Sequence, residues 1–124
     1  MAFDFQGIAT QFVTHYYTTF DTDRKSLAGL YRDNSMMTFE SSQSLGAASI
    51  AEKLANLPFQ KVKHHFDTAD AQPTATGGIV ILVTGQLLVD EEANPLKFSQ
   101  AFQLVQDAGG QWFVFNDIFK LVFG

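Results

Sequence analysis

The sequence has no cysteine, which excludes disulfide bonds and thiolate metal sites and fits a reducing compartment. It also lacks an apolar run of membrane-spanning length, and residues 1–4 do not form a basic, apolar leader. The 46% hydrophobic and 17% charged residues are typical of a folded globular chain. We therefore expect one soluble, intracellular domain over residues 1–124.

Positive charge is scarce: 8 Lys and Arg residues face 13 Asp and Glu, giving a net charge of -5. Nucleic acids and anionic membranes are bound largely through Lys and Arg, so neither is expected as a partner. The phosphate-binding patterns Gly-x-x-x-x-Gly-Lys and Gly-x-Gly-x-x-Gly are also missing. The sequence therefore favours a basic protein partner and predicts no nucleotide cofactor.

Histidines are too few and too dispersed for a metal site. His64 and His65 are neighbours on a predicted strand, so their rings point to opposite faces, and His15 lies on a distant helix. We expect no metal.

Phenylalanine, by contrast, is abundant, with 13 residues in 124. A domain of this size has limited room to bury so many rings together with three tyrosines and one tryptophan. Exposed apolar surface commonly marks a two-fold interface, so we expect a homodimer.

Helical periodicity is confined to the first half of the chain. It predicts a long helix capped by Asp4, a short helix opening at Asp21 and Asp23 that includes Tyr31, a strand from Met36 to Glu40, and a helix ending before Pro58. Strand patterns follow: residues 61–73, 79–89, 97–104 and 111–122. This order predicts an α+β fold with helices on one face of a curved antiparallel sheet.

The strand at residues 79–89 is almost continuously apolar and ends in Asp90, Glu91 and Glu92. A continuous apolar run indicates a strand covered on both faces. Adjacent like charges repel, so the acidic triplet must lie in water or face a basic partner. We interpret it as the edge of a binding site.

A few polar residues fall on predicted inward faces. They are His64, Asp117, Tyr16 and Tyr17. Asp117 is in phase with Phe113, Phe115 and Phe119, and the two tyrosines lie at the end of the first helix. Each can be a core group satisfied by a hydrogen bond. A carboxylate among apolar neighbours is also how an isomerase or dehydratase builds a base, so a small-ligand binder or enzyme remains the alternative.

Several blocks of sequence, in the same order and with similar spacing, resemble the nuclear transport factor 2 family nearly end to end. They are residues 15–24, 38–40, 52–54, 57–61, 70–73, 85–90 and 116–120, which include His15-Tyr16-Tyr17, Gly85-Gln86-Leu87-Leu88-Val89-Asp90 and Asn116-Asp117-Ile118-Phe119-Lys120.

The resemblance implies a homodimeric carrier, not an enzyme, that binds the small GTPase Ran in its GDP form. Such a carrier crosses nuclear pores by contacting phenylalanine-glycine repeats of nucleoporins, and so occupies cytoplasm, nucleus and nuclear envelope. The implied fold is a cone-like sheet wrapped around a long N-terminal helix, with two shorter helices and an open hydrophobic cavity.

The resemblance also implies site residues. Glu40, Asp90 and Glu92, flanked by Glu91, look like an acidic rim that pairs with basic residues of Ran. Eight residues look like the lining of a cavity for an aromatic side chain of Ran, some of them also filling the core: Phe39, Leu57, Val62, His64, Leu87, Val89, Ile118 and Phe119. Phe5, with Pro95 and Leu96 of the partner chain, looks like the nucleoporin-repeat site.

Overall fold

The computed structural model describes residues 3–58, 60–90 and 94–122. Its elements are α1 Phe5–Thr22, a 3-10 helix Arg24–Leu30, β1 Tyr31–Phe39, β2 Ser42–Leu45, α2 Ala47–Ala55, β3 Val62–Pro73, β4 Ile79–Val89, β5 Leu96–Gln106 and β6 Trp112–Val122. The predicted α+β fold with a curved sheet and three helices is confirmed.

Helix α1 forms as its periodicity predicts. Its first turn is capped by Asp4, whose Oδ1 accepts a hydrogen bond from the Gly7 backbone N–H at 3.0 Å. The predicted apolar stripe is the buried face, with Ala9, Val13, Tyr16, Tyr17 and Phe20 turned into the core. The Gln6 side chain donates to the Ala69 carbonyl and accepts from the Ala71 N–H, which ties α1 to the open edge of β3.

The next segment differs from its prediction. The short helix is a 3-10 helix that ends at Leu30, and Tyr31 begins β1 instead of completing the helix. The polar residues 33–35, predicted as a break, lie inside β1 where its pairing with β6 shifts register. Pairing with β6 extends the strand through these polar residues, because it gives hydrogen-bond partners to backbone groups of β1. The sequence pattern did not predict β2, because Ser-Gln-Ser-Leu has no strand periodicity.

The six strands form one sheet in the order β2-β1-β6-β5-β4-β3. All pairs are antiparallel except β1 with β6, which run parallel and place Met37 beside Asp117 and Phe39 beside Phe119. The two phenylalanine rings stack with centroids 4.6 Å apart. This parallel pair brings the ends of β1 and β6 to the same part of the molecule.

Strand β4 alternates strictly, so the prediction that it is covered on both faces is wrong for the isolated chain. Ile79, Ile81, Val83 and Leu87 are buried, whereas the intervening apolar residues Val80, Leu82 and Leu88 are exposed. The helices cover only the inner face of the sheet. The outer face of β4 is therefore apolar and open to solvent.

Strand β6 contains a bulge that the sequence pattern did not reveal. Leu104 pairs with Val114 and Gln103 with Asn116, which leaves Phe115 without a partner and shifts the alternation by one residue. Val114 thus enters the core, and Phe113 lies outside the main core cluster under the guanidinium of Arg32. Beyond the bulge, Asp117 and Phe119 face inward as predicted.

Candidate functional site

The inner face of the sheet does not pack completely against the helices. A cavity of about 410 Å³ remains, and most of its wall is apolar. It is lined by Tyr16, Phe20, Met37, Phe39, Glu40, Leu54, Pro58, His64, Leu87, Val89, Leu96, Gln100, Asp117, Phe119 and Leu121. A preformed apolar cavity with a few polar groups is the usual form of a binding site.

We call Tyr16, Tyr31, Gln100 and Asp117 the polar floor of this cavity; three of them line it, and Tyr31 holds Asp117 from behind. Asp117 is 1% exposed and accepts from Tyr31 Oη at 2.7 Å and Gln100 Nε2 at 2.7 Å, with Tyr16 Oη at 3.3 Å. The Tyr16 and Tyr31 hydroxyls lie 2.7 Å apart. Residues from α1, β1, β5 and β6 thus converge on one carboxyl group.

Burial sets the proton affinities of the floor. It raises the pKa of Asp117 to about 6, although the hydrogen bonds from Gln100, Tyr31 and Tyr16 act in the opposite direction. Burial, and next the charge of Asp117, raise the pKa of Tyr16 and Tyr31 well above the ordinary tyrosine value. The tyrosines therefore stay protonated as donors, and the carboxyl group is ionised above neutral pH.

His64 lies in the cavity wall and is held by Asp21 of α1. Asp21 Oδ2 accepts from the His64 backbone N–H at 2.8 Å, and Oδ1 lies 2.7 Å from Nδ1 of the ring. The imidazole stacks on Tyr17, with centroids 4.6 Å apart. Tyr17 in turn donates to Gln100 Oε1 at 2.7 Å, which joins this pair to the polar floor.

Two predicted acidic residues follow strands that end at the cavity. Glu40 comes directly after Phe39 and lines the cavity itself; Asp90 is exposed and follows the cavity-lining Val89. Both have positive φ angles, 51° for Glu40 and 53° for Asp90. We call these two residues the acidic rim. Glu91 and Glu92, predicted with them, lie outside the described residues.

Both rim carboxylates accept hydrogen bonds from the backbone. Asp90 Oδ1 accepts from the N–H groups of Gln60 and Lys61 at 3.0 Å each, and these bonds lower the pKa of Asp90 below its ordinary value. Glu40 Oε1 accepts from the Leu121 N–H. The charges are therefore fixed in place at the ends of β1 and β4.

Five of the eight predicted cavity residues do line the cavity: Phe39, His64, Leu87, Val89 and Phe119. Leu57 and Val62 are each 8% exposed and belong to the core, not to the described lining. The prediction for Ile118 is wrong, because its side chain is 53% exposed and lies on the opposite face of β6 from Asp117 and Phe119.

The predicted nucleoporin-repeat residues are separated in this chain. Phe5 is half-buried at the start of α1, with Phe3 in edge contact at 6.0 Å between ring centroids. Pro95 is exposed and borders a shallow hollow with Lys63 and His65. Leu96 instead lines the cavity of its own chain, which does not support a place for it in the repeat site.

Sequence reasoning missed Gln100, Tyr31 and Asp21 as parts of the site. Gln100 had a detectable signal, because it is a polar residue in phase with the inward-facing Phe98 and Phe102. Tyr31 was assigned to a helix, and Asp21 was considered only as a helix start. Their contacts with Asp117 and His64 span 86 and 43 residues of sequence, beyond the reach of local patterns.

Within residues 3–58, 60–90 and 94–122, no helix is long and apolar enough to cross a membrane. The same part of the chain contains no group of three or more His, Asp or Glu side chains arranged to hold a metal ion. The two strand histidines do face opposite ways, since the side chain of His64 is 3% exposed and that of His65 is 80% exposed.

Fold and site together define an α+β protein with a curved sheet closed on one side by helices around an apolar cavity with a polar floor. Comparison with known proteins gives the family. The nuclear transport factor 2 (NTF2) domain model matches residues 8–121. The chain belongs to the nuclear transport factor 2 family.

Individual relatives agree along the full length. The chain is 75% identical to nuclear transport factor 2 of Neurospora crassa, over 98% of each chain. It is 53% identical to that of Saccharomyces cerevisiae, over 98% of this chain and 97% of the relative. The solved structure of nuclear transport factor 2 from Cryptosporidium parvum superposes with a TM-score of 0.90 at 43% identity, covering 95% and 94% of the two chains. These relatives place the chain in nuclear transport.

Proposed function

We propose that this chain is a homodimeric import carrier that binds Ran in its GDP form and crosses nuclear pores by contacting phenylalanine-glycine repeats of nucleoporins. The observation that carries the proposal is the apolar cavity beside the acidic rim of Glu40 and Asp90. A protein that presents an aromatic side chain flanked by basic groups would match both features. The family membership supports this choice of partner.

The cavity supplies affinity and the rim supplies orientation. Burying one aromatic side chain removes on the order of 150 to 250 Å² from water, worth about 4 to 6 kcal/mol before the costs of association. Charge pairs at the edge of an interface mainly increase the rate of encounter and select the partner. Binding should therefore slow and weaken as the salt concentration rises.

The outer face of the sheet supports the homodimer. Six large apolar side chains are exposed on the described residues, five of them on β4 and β6: Leu45, Val80, Leu82, Leu88, Ile118 and Val122. Exposed apolar patches on a soluble protein commonly mark a subunit interface. Ile118, which does not line the cavity, has a role in this proposal as part of that interface.

The repeat-binding part of the proposal centres on Phe5, with Pro95 contributed by the partner chain. Phe5 is only half-buried, so part of its ring is available to a second aromatic side chain. One modest aromatic contact gives weak, rapidly reversible binding, which suits a carrier that must release each repeat quickly.

The decisive experiment titrates the purified chain with Ran loaded with GDP or with a GTP analogue. Tight binding of the GDP form alone is expected, and equal affinity for both forms would contradict the proposal.

Rim variants must remove charge and keep the hydrogen-bond acceptor. Glu40→Gln can still accept from Leu121, and Asp90→Asn can still accept from Gln60 and Lys61. Each should weaken Ran-GDP binding at least about tenfold. Glu52→Gln and Asp33→Asn are matched controls, because both residues are exposed and neither lines the cavity. Normal binding by both rim variants would show that the rim is elsewhere.

A further inference from the structure

The cavity is larger than one aromatic ring requires. A dry cavity of about 150 Å³ already accommodates benzene. The cavity of this chain is about 410 Å³ and continues down to the polar floor. An aromatic side chain inserted from the rim leaves room below it, so the cavity can hold an occupant of its own.

The floor presents an unused acceptor. An ionised carboxylate offers about four acceptor positions. Asp117 uses three of them, two on Oδ2 for Tyr31 and Tyr16 and one on Oδ1 for Gln100. Oδ1 can therefore accept one more hydrogen bond from a ligand in the cavity.

The charge around that acceptor is negative. Asp117 lies at the floor and Glu40 at the rim, and the described lining contains neither Lys nor Arg. Among those lining residues only His64 can become positive, and its Nδ1 faces the carboxylate of Asp21. Among the residues that the structure describes, each hydrogen bond that Asp117 receives comes from a neutral donor, so no cation there is paired with the buried carboxylate.

The walls suit a cation with an apolar body. Tyr16, Phe20, Phe39 and Phe119 contribute ring surface to the cavity, and the Tyr16 and Phe20 centroids are 6.2 Å apart. Aromatic faces attract ammonium groups, most strongly where water is excluded. Rings and a desolvated carboxylate together are the elements from which amine-binding pockets are built.

We propose that the cavity binds a small organic ammonium ion, an amine that carries one aromatic group, with the ammonium on Asp117 Oδ1 and the aromatic group against the cavity wall. This role goes beyond the carrier function and does not require it. At pH 7.5 the carboxyl group is ionised, because its pKa is raised only to about 6.

The test is a matched ligand series titrated against the whole chain at pH 7.5, followed by NMR. The probes are 2-phenylethylammonium, 2-phenylethanol and propylbenzene, which share one shape and differ in charge and hydrogen bonding. We expect the ammonium to bind at least about tenfold more tightly than the alcohol. Equal or weaker binding of the ammonium would overturn the proposal, and this comparison needs no variant.

Two substitutions locate the site. Val89→Phe fills the cavity and should abolish ammonium binding, whereas Val80→Phe, the same change on the outer face of β4, should leave it unchanged. Asp117→Asn should abolish the preference for the ammonium over the alcohol. Retained binding in Val89→Phe, or a retained preference in a folded Asp117→Asn, would overturn the assignment. None of these outcomes depends on Ran binding.

Discussion

The polar floor and the acidic rim both present carboxylates to the same cavity, but they are built in opposite ways. Asp117 at the floor is held by side chains from α1, β1 and β5, the most distant of them 101 residues away in sequence. Glu40 and Asp90 at the rim are held by backbone N–H groups and remain at the surface. Buried polar networks of the first kind contribute to stability only when every member is satisfied.

The comparison separates two kinds of residue in one site. Changes at the floor should act first on folding, because each leaves a buried group without a partner. Changes at the rim that keep the acceptor should act on partner binding alone. The following predictions test that separation, beginning with the largest effect.

Gln100→Leu should produce the largest loss of stability. It removes the bond to Asp117 and the bond from Tyr17, so a buried carboxylate and a buried hydroxyl lose a partner. At about 1 to 3 kcal/mol for each of the two unsatisfied groups, the free energy of unfolding should fall by about 2 to 6 kcal/mol.

The measurement is denaturant unfolding, with Gln103→Leu as the control. Gln103 lies on the same strand with its side chain on the other face, so its substitution should change stability by about 0.5 kcal/mol or less. If both variants lost the same free energy of unfolding, the hydrogen bonds of the polar floor would not be a special source of stability.

Asp117 should make the folded chain less stable as pH rises, which is the opposite of the usual effect of a carboxyl group. Its pKa is about 6 in the folded chain against 3.8 for the ordinary carboxyl group, so the folded state holds the proton more tightly. Its contribution is most favourable below about pH 4 and is lost as pH rises through about 6. Relative to Asp117→Asn, the wild-type chain should gain roughly 2 kcal/mol between pH 7 and pH 4, because the unfolded carboxyl group is itself partly protonated at pH 4.

The check is the difference between the two stability curves, measured by denaturant unfolding at several pH values. Asp90 and Asp107 have lowered pKa values and destabilise both proteins on acidification, so their effect cancels in the difference. A flat difference between pH 4 and pH 7 would mean that Asp117 titrates outside this window.

Substitutions of Asp90 should have the smallest effect on stability. Two of them distinguish its role as a hydrogen-bond acceptor from its role as a negative charge at the rim. Asp90→Ala removes the acceptor for two backbone N–H groups and places alanine at a φ of 53°, so the Tm should fall by a few degrees. Asp90→Asn keeps the acceptor and tolerates this φ, so its Tm should match the wild type. Equal Tm values for the two variants would show that the Asp90 hydrogen bonds do not stabilise the end of β4.

Much of the fold and part of the site could be predicted from the sequence. The inward face of α1, the inward phase of His64 and the acidic end of β4 are all properties of neighbouring residues. Resemblance to the family added Glu40 and five residues that line the cavity. Ile118 was placed wrongly because the resemblance assigned both Ile118 and Phe119 to the cavity, whereas adjacent strand residues face opposite ways.

The sequence by itself determined which side chains turn inward along α1 and along strand segments without a bulge, because helix and strand periodicities are set by bonds between near neighbours. Only the tertiary structure decided that Asp117 would meet Tyr16, Tyr31 and Gln100, since those residues come from separate elements. The parallel pairing of β1 with β6 and the bulge at Phe115 were likewise settled by packing across the sheet. Such contacts depend on the register of distant strands, which no local pattern encodes.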